Sequence, residues 1–177
     1  MGSKLVTERE DKIMNRIAWI GISLTIPILA WAQTAGVELY KQGKYAEAAS
    51  ALAAEVEKSP EDKELLTHLG LARIHAGDAG GAVEPLKKAM ALDDKYAEAR
   101  FGLGLAYVKM KNTSQAIPEL EKATKLAPDH AYAHYYLGMA YNQTDKKDLS
   151  IAHLRRFLEL APDAPEAPAV RSFLSKM

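Results

Sequence analysis

The sequence predicts an all-helical solenoid made of repeated helix–turn–helix units and closed by a short final helix. One reason is composition: Ala, Leu, Glu and Lys, which favour helices, are abundant, whereas the 177 residues include only 3 Phe and 2 Trp. The other reason is a set of residue columns that recur at one constant spacing along most of the chain.

Four columns of residues recur at a spacing of 34 residues. They are a column of glycines, a column of leucines, a column of small residues and a column that is mostly proline: Gly36, Gly70, Gly104, Gly138; Leu52, Leu86, Leu120, Leu154; Ala48, Ala82, Ala116, Ser150; Pro60, Asp94, Pro128, Pro162. This period predicts units of two helices each, at about 33–62, 63–96, 97–130 and 131–164.

Each column has a physical role in a pair of helices. Glycine on the first helix permits a close approach to the second, because any side chain there would push the two helices apart. The small residue on the second helix lies in the same contact, and the leucine one turn later fills the space behind it. Proline ends the second helix, because it cannot continue one. Turns such as Gln42-Gly43-Lys44 separate the two helices of a unit.

The repeated stretches resemble the tetratricopeptide repeat (TPR) family. They read YKQGKYAEAASAL (40–52), LGLARIHAGDAGGAVEPLKKAMALD (69–93), LGLAYVKMKNTSQAIPELEKATKLAPD (103–129) and LGMAYNQTDKKDLSIAHLRRFLELAPD (137–163). The resemblance is full over about 63–164 and partial over about 33–62. It implies a right-handed superhelical solenoid of about four units over 33–164, and a family of binding proteins rather than one particular function.

Four positions depart from the pattern of the family, among them Ala35, where the later units have leucine. Arg73 stands where the next two units have the aromatic residues Tyr107 and Tyr141. Pro85 and Pro118 lie near the start of the second helix of their units, where the loss of a backbone N–H is partly tolerated. None of these departures interrupts the period.

Residues 1–32 form a predicted targeting segment. An uncharged apolar run at 17–32 follows the cationic residues Lys12 and Arg16 and ends in Ala30-Trp31-Ala32. These features predict a secretory signal peptide cleaved after Ala32, which would place the rest of the protein in the periplasm of a bacterium.

Two alternatives stay open for this segment. The apolar run could be retained as an N-terminal helix that anchors the protein in a membrane, although it is shorter than the roughly 20 residues that usually span a bilayer. Met14 could be the natural start, which gives a shorter and more typical signal peptide. In each case the cationic residues keep the N-terminus cytoplasmic, so the repeats lie on the exported side.

The last residues, 165–177, predict a capping helix. Pro168 can lie in the first turn of a helix over roughly 167–176. Val170, Phe173 and Leu174 would then fall on one face of that helix. Such a helix would cover the open end of the fourth unit, as solenoids require.

The resemblance implies that the first helix of every unit lines a concave inner wall. Carried over to this sequence, the large apolar residues of that wall are Val37, Tyr40, Leu71, Ile74, Phe101, Leu105, Val108, Tyr132, Tyr135 and Met139. An apolar surface of this extent predicts a groove for an apolar partner segment, either an amphipathic helix or an extended peptide. Two alternatives are that several of these positions belong to the core, and that self-association or the N-terminal segment fills the groove.

Composition and motifs exclude several classes of function. The 23 Lys+Arg balance the 23 Asp+Glu, which gives no electrostatic basis for nucleic-acid binding. Without Cys the chain has no thiol nucleophile, and it carries no Gly-rich phosphate loop, GxSxG or HExxH motif. His130 and His134 have the i, i+4 spacing of metal ligands but lack a third ligand nearby in sequence. We therefore expect no catalytic residue, no metal and no cofactor.

The sequence predicts a non-enzymatic scaffold that binds another protein in its concave groove on the exported side of a membrane. A structural role is the alternative: an accessory subunit fixed in a membrane or envelope complex through 17–32. In the first case the groove carries the function, and in the second the anchor and the convex surface carry it.

Overall fold

The computed structural model describes residues 35–177, and all regular secondary structure in that range is helical. The nine helices of this range are α1 (35–41), α2 (Tyr45–Lys58), α3 (Lys63–His75), α4 (Val83–Leu92), α5 (Ala97–Lys109), α6 (Thr113–Leu126), α7 (Ala131–Gln143), α8 (Lys147–Leu160) and α9 (Ala167–Leu174). The predicted signal peptide or membrane anchor at 1–32 lies outside the described residues. Within them, no helix combines the length and the apolar character needed to cross a membrane.

The helices follow one another as pairs. Each helix from α2 to α8 packs against the next helix in sequence, and α3, α5 and α7 also contact one another in succession. The largest group of buried residues runs continuously from α3 to α7. The odd-numbered helices therefore form one wall, and the even-numbered helices pack behind it, as expected for a solenoid in which units contact only their neighbours.

The glycine and leucine columns meet inside each pair. A Cβ placed on Gly36, Gly70, Gly104 or Gly138 would lie 2.5, 2.5, 2.6 or 2.7 Å from the Cγ atom of the leucine 16 residues later. The small residues Ala48, Ala82, Ala116 and Ser150 have no exposed surface. The predicted close approach of the two helices is therefore confirmed in all four pairs.

The turn inside each pair contains one residue with a left-handed backbone. These residues also recur at the 34-residue spacing: φ is 76° at Gly43, 91° at Gly77, 60° at Lys111 and 55° at Asp145. Glycine adopts this conformation at little cost, whereas an L side chain is strained there. The first two turns therefore have glycine, which the backbone favours. The last two turns keep the same backbone conformation with Lys111 and Asp145, whose side chains make it strained.

Helix α4 lacks the first turn that α2, α6 and α8 possess. By the 34-residue spacing it would begin at 79, but it begins at Val83, after Gly80 and Gly81. In a longer helix the Gly81 carbonyl would face Pro85, which has no N–H to donate. The Arg73 guanidinium donates to that carbonyl instead, at 2.7 Å. The departure at Arg73 thus compensates for the departure at Pro85.

The final helix, α9, closes the C-terminal end. Val170 is 4% exposed and packs in one apolar group with Leu154 and Phe157 of α8. Phe173 and Leu174 lie half-buried at the edge of this group. The apolar face expected for this segment therefore lies on the last helix pair.

Candidate partner-binding groove

A cavity of about 390 Å³ opens along the odd-numbered helices and is called the groove below. Its lining residues are Tyr40, Leu71, His75, Glu98, Phe101, Leu105, His130, Tyr132, Tyr136 and Glu166. Helices α1, α3, α5 and α7 each contribute, and Glu166 comes from the segment before α9. All four helix pairs thus build one site, as the resemblance implied for the inner wall.

Half of the ten predicted groove residues line this cavity: Tyr40, Leu71, Phe101, Leu105 and Tyr132. Tyr40 and Tyr132 are half-buried, so their rings are available to a ligand. Leu71, Phe101 and Leu105 are only 6%, 7% and 2% exposed, and they form the floor. The predicted apolar wall is therefore largely buried at these three positions.

The other five predicted residues lie elsewhere. Ile74 is 4% exposed and is part of the core, and Val108 packs half-buried against the same core. Val37 packs half-buried beside Leu52 in the first pair. Tyr135 and Met139 line a separate cavity of about 120 Å³ next to α9. The alternative in which several predicted positions belong to the core therefore applies to Ile74 and to the three floor residues.

Aromatic rings surround the middle of the groove. The ring centroid of Phe101 lies 4.3 Å from that of His130 and 6.2 Å from that of Tyr136. At the N-terminal end, the ring of Tyr40 lies 5.7 Å from that of His75. The walls therefore offer flat apolar faces with polar edges, which suit both apolar and cationic ligands.

Two carboxylates project into the groove, each held by a neutral donor. Nδ1 of His130 accepts from the Ala133 N–H at 3.0 Å, which leaves the ring proton on Nε2. That Nε2–H lies 3.2 Å from Oε2 of Glu98 and donates to it. The Tyr132 hydroxyl donates to Oε2 of Glu166 at 3.1 Å. These hydrogen bonds orient both carboxylates.

Burial favours the neutral forms of Tyr40, Tyr136 and His75 in the groove. Burial raises the pKa of Tyr40 to about 12, and the nearby Tyr45 and Glu98 add to the shift. Burial also raises the pKa of Tyr136. Burial lowers the pKa of His75, and the positive charge of Lys109 lowers it further. Among the described residues that line the groove, none is Lys or Arg. The net charge of the lining is therefore negative.

Sequence reasoning missed Glu166, although the sequence contains a signal for it. Glu166 continues a column of the 34-residue period that also holds Glu64, Glu98 and Tyr132. Glu166 lies beyond the fourth unit, in the segment before α9, so it is outside the four predicted repeats. His75 and Tyr136 were also missed. Their signal is the helical spacing: His75 lies one turn after Leu71 and Tyr136 one turn after Tyr132, on the same face of the helix.

The histidine pair with metal-ligand spacing is separated by the structure. His130 caps α7 and contacts Glu98, whereas Nδ1 of His134 lies 2.9 Å from Nδ1 of His153. Nε2 of His134 donates to the Pro128 carbonyl at 3.2 Å. Within residues 35–177, no three His, Cys, Asp or Glu side chains cluster in a way that could hold a metal ion.

Known structures show the same architecture. The chain is 27% identical to MamA, with a TM-score of 0.67 over 80% of this chain and 83% of MamA. It is 25% identical to TTC0263, a thermophilic TPR protein of Thermus thermophilus, with a TM-score of 0.69 over 84% of this chain and 80% of that one.

YrrB, described as a TPR protein with an unusual peptide-binding site, is 22% identical, with a TM-score of 0.65 over 80% of this chain and 73% of YrrB. At this level of identity the likeness concerns the fold alone. Among curated proteins, none matches this chain. Residues 34–97 and 101–165 match the tetratricopeptide repeat family. This match covers well over half of the sequence, and the protein is a member of the tetratricopeptide repeat family.

Proposed function

We propose that the protein is a protein–protein interaction scaffold that holds an apolar segment of a partner protein in the groove. The observation that carries this proposal is the cavity of about 390 Å³, to which all four helix pairs contribute half-buried aromatic or buried apolar side chains. Cavities with an apolar lining and a few oriented polar groups are the usual binding sites of proteins. Membership of a family whose members bind peptides and proteins supports the same role.

The groove suits a segment that presents side chains to a row of separate subsites. Its floor is formed by Leu71, Phe101 and Leu105, and the rings of Tyr132 and Tyr136 stand one helical turn apart on α7. Tyrosine supplies a large contact area with few rotatable bonds, so little conformational entropy is lost on binding. An amphipathic helix or an extended peptide could both use such a surface.

Photocrosslinking tests this proposal in the native cell. A photoreactive benzoylphenylalanine replaces Tyr136 in the groove. As the matched control it replaces Tyr96, a half-buried tyrosine directly before α5 that does not line the groove. We expect a discrete crosslink at 136 to one segment of another protein and none at 96. Phe101 and Leu105 are less suitable positions, because both are buried and their replacement would disturb folding.

A binding assay then separates a true groove ligand from a chance neighbour. The crosslinked segment is synthesised as a peptide, and its fluorescence anisotropy is measured with wild type, Tyr136→Ala and Tyr96→Ala. Loss of a central aromatic contact should weaken binding at least about tenfold in Tyr136→Ala only. Equal weakening in both variants would refute a groove site, and crosslinks confined to a second copy of the chain would favour self-association.

We further propose that the scaffold acts on the exported side of a membrane, as a periplasmic protein of a bacterium. The charged start and apolar run of residues 1–32 support this location. Intact mass and N-terminal sequencing of the soluble and membrane fractions test it. A soluble species that begins at Gln33 is the expected result, and a soluble cytoplasmic species that retains 1–32 would contradict it.

The second candidate is an accessory subunit of a membrane or envelope complex, anchored through 17–32. The apolar run favours it, because such a run need not be removed. Deletion of 1–32 with a replacement signal peptide should then release the protein from the complex that co-purifies with it. Full retention of the truncated protein in that complex would exclude the anchor.

A further inference from the structure

We infer that the groove recognises a positively charged side chain, Lys or Arg, on the partner segment. The inference rests on the proposed function and adds to it the chemistry of one subsite. The bound segment is thus apolar with a basic residue among the apolar ones, and the basic group sits between Glu98 and Glu166.

The first argument is charge. Glu98 and Glu166 line the same cavity, and the donors that hold them, His130 and the Tyr132 hydroxyl, are neutral in this arrangement. Among the described lining residues there is no Lys or Arg to balance them. Two carboxylates in a concave, partly apolar site concentrate negative potential there, and such a site attracts cations.

The second argument is the shape of the surroundings. The half-buried rings of Tyr132 and Tyr136 lie in the same cavity as both carboxylates. A guanidinium or ammonium group within about 6 Å of an aromatic face is attracted by the ring, and the attraction grows when water is excluded. The methylene stem of Lys or Arg can lie on the apolar floor while its head reaches a carboxylate.

The same features disfavour other occupants. A segment that presented a C-terminal carboxylate or an acidic side chain would bring like charges together in the groove. A bare metal ion would need three or more ligands, and the described residues contain no such cluster. An organic cation on an apolar chain fits both the charge and the rings.

Defined peptide mixtures test the inference without knowledge of the natural partner. The probe is a set of short acetylated and amidated peptides whose flanking positions are random mixtures of Ala, Leu, Phe, Ser and Gln. One central position is fixed as Arg, Lys, norleucine or Glu, and the fraction bound to the protein is measured by mass spectrometry. We expect the Arg or Lys mixture to bind about tenfold more than the norleucine mixture, as for hydrogen bonds to charged groups, with the Glu mixture weakest.

Three isosteric variants locate the effect. Glu98→Gln and Glu166→Gln remove the charge but keep an oxygen that can accept from His130 or Tyr132, so the fold is retained and far-UV circular dichroism checks it. Glu64→Gln is the matched control, because Glu64 occupies the same column one unit earlier but is exposed and outside the groove. We expect each groove variant to lose most of the preference for Arg or Lys and the control to keep it.

The outcomes separate the inference from the proposed function. The inference would be overturned if the norleucine and Arg mixtures bound equally. It would also be overturned if the double variant Glu98→Gln, Glu166→Gln kept the preference for Arg or Lys. Either result would remain compatible with a groove that binds apolar segments. Failure of every mixture to bind would count against both. Addition of salt should weaken the Arg mixture more than the norleucine mixture, because only the former depends on charge.

Discussion

At the scale of single residues, the contact between Gly70 of α3 and Leu86 of α4 leaves no room for a methyl group. A Cβ on Gly70 would lie 2.5 Å from Cγ of Leu86, whose side chain is fully buried. We therefore expect Gly70→Ala to lower the free energy of unfolding by about 1–3 kcal/mol, the usual range for overpacked cores. Urea denaturation followed by circular dichroism measures this.

Gly80 supplies the matched control for this substitution. A Cβ there would meet no atom within 4 Å. Gly80→Ala should change the free energy of unfolding little or raise it by about 0.4–1 kcal/mol, through a reduced entropy of the unfolded chain. Equal destabilisation by both substitutions would mean that glycine flexibility, and not the close approach, explains the column.

The sequence predicted which residues share the inner wall better than it predicted their exposure. Leu71 and Phe101 belong to the wall, yet neighbouring side chains cover them and make them floor. The 34-residue period assigns each residue to a face of its own helix, but coverage depends on the side chains of the next helix. Glu98 and His130 likewise meet only through packing of α5 beside α7.

At the scale of helices, Arg73 controls where α4 begins. Its guanidinium donates to the Gly81 carbonyl at 2.7 Å, and Asp78 accepts from the Gly81 N–H at 2.8 Å. We expect Arg73→Met to lower the free energy of unfolding by about 1–2 kcal/mol, because a partly buried carbonyl loses a charged donor. Amide hydrogen exchange should also become faster over residues 79–83.

Lys87→Met on α4 is the control for this prediction, since Lys87 is exposed and the substitution removes the same charge from the same region. It should leave both measurements close to those of wild type. If exchange over 79–83 were unchanged in Arg73→Met, the hydrogen bond would not hold this turn.

A pair of histidines makes the contact between α7 and α8 sensitive to pH. Because His134 donates through Nε2 to the Pro128 carbonyl, its Nδ1 must accept from Nδ1–H of His153. Burial lowers the pKa of both side chains; for His153 the charge of His134 adds to this and Glu121 opposes it. For His134, the bond to Pro128 opposes the shift, while Arg156 and His130 add to it.

The sign of the pH effect follows from linkage. The unfolded chain takes up protons at these histidines as the pH falls through the ordinary value of 6.5, whereas the folded protein takes them up only at lower pH. The free energy of unfolding should therefore decrease as the pH falls below about 6.5. Urea denaturation at several pH values measures the decrease.

His153→Gln should make this decrease smaller, because one of the two coupled rings no longer takes up a proton. His68→Gln removes a histidine outside the pair and is the control. The prediction fails if His153→Gln and His68→Gln leave the same dependence on pH. The His75 ring, whose pKa burial also lowers, is present in both variants and contributes equally.

The helices themselves were largely predictable, and one start was not. Short turn signals and the period of 34 residues led to four helix pairs and a final helix, and the family match supports the repeats. The late start of α4 could not be read from the period alone, because it depends on Gly80 and Gly81 together with the donor Arg73. That donor reaches the turn only after α3 and α4 have packed.

At the scale of the whole molecule, stability should vary along the chain, because each pair packs mainly on its neighbours. Val170 of α9 is 4% exposed and covers Leu154 and Phe157 of α8. We expect Val170→Ala to lower the free energy of unfolding of the C-terminal end by about 1–2 kcal/mol, as for other buried aliphatic truncations.

Hydrogen exchange with mass spectrometry shows where this loss occurs. Exchange should become faster in α8 and α9 and stay unchanged in α3, which lies several helices away. Ser172→Ala, on the exposed side of α9, is the control and should leave exchange as in wild type. Uniformly faster exchange in Val170→Ala would mean that the solenoid unfolds as one cooperative unit.

Glu166 is the last of the groove residues to be synthesised, because it follows all the others in the sequence. Glu98 and Tyr132 are synthesised before it, and the segment that holds Glu166 follows α8. A nascent chain on the ribosome therefore lacks one of the two carboxylates of the groove until α8 has been synthesised. A partner that depends on both charges is therefore captured only after the segment that follows α8 has folded back onto Tyr132 of α7.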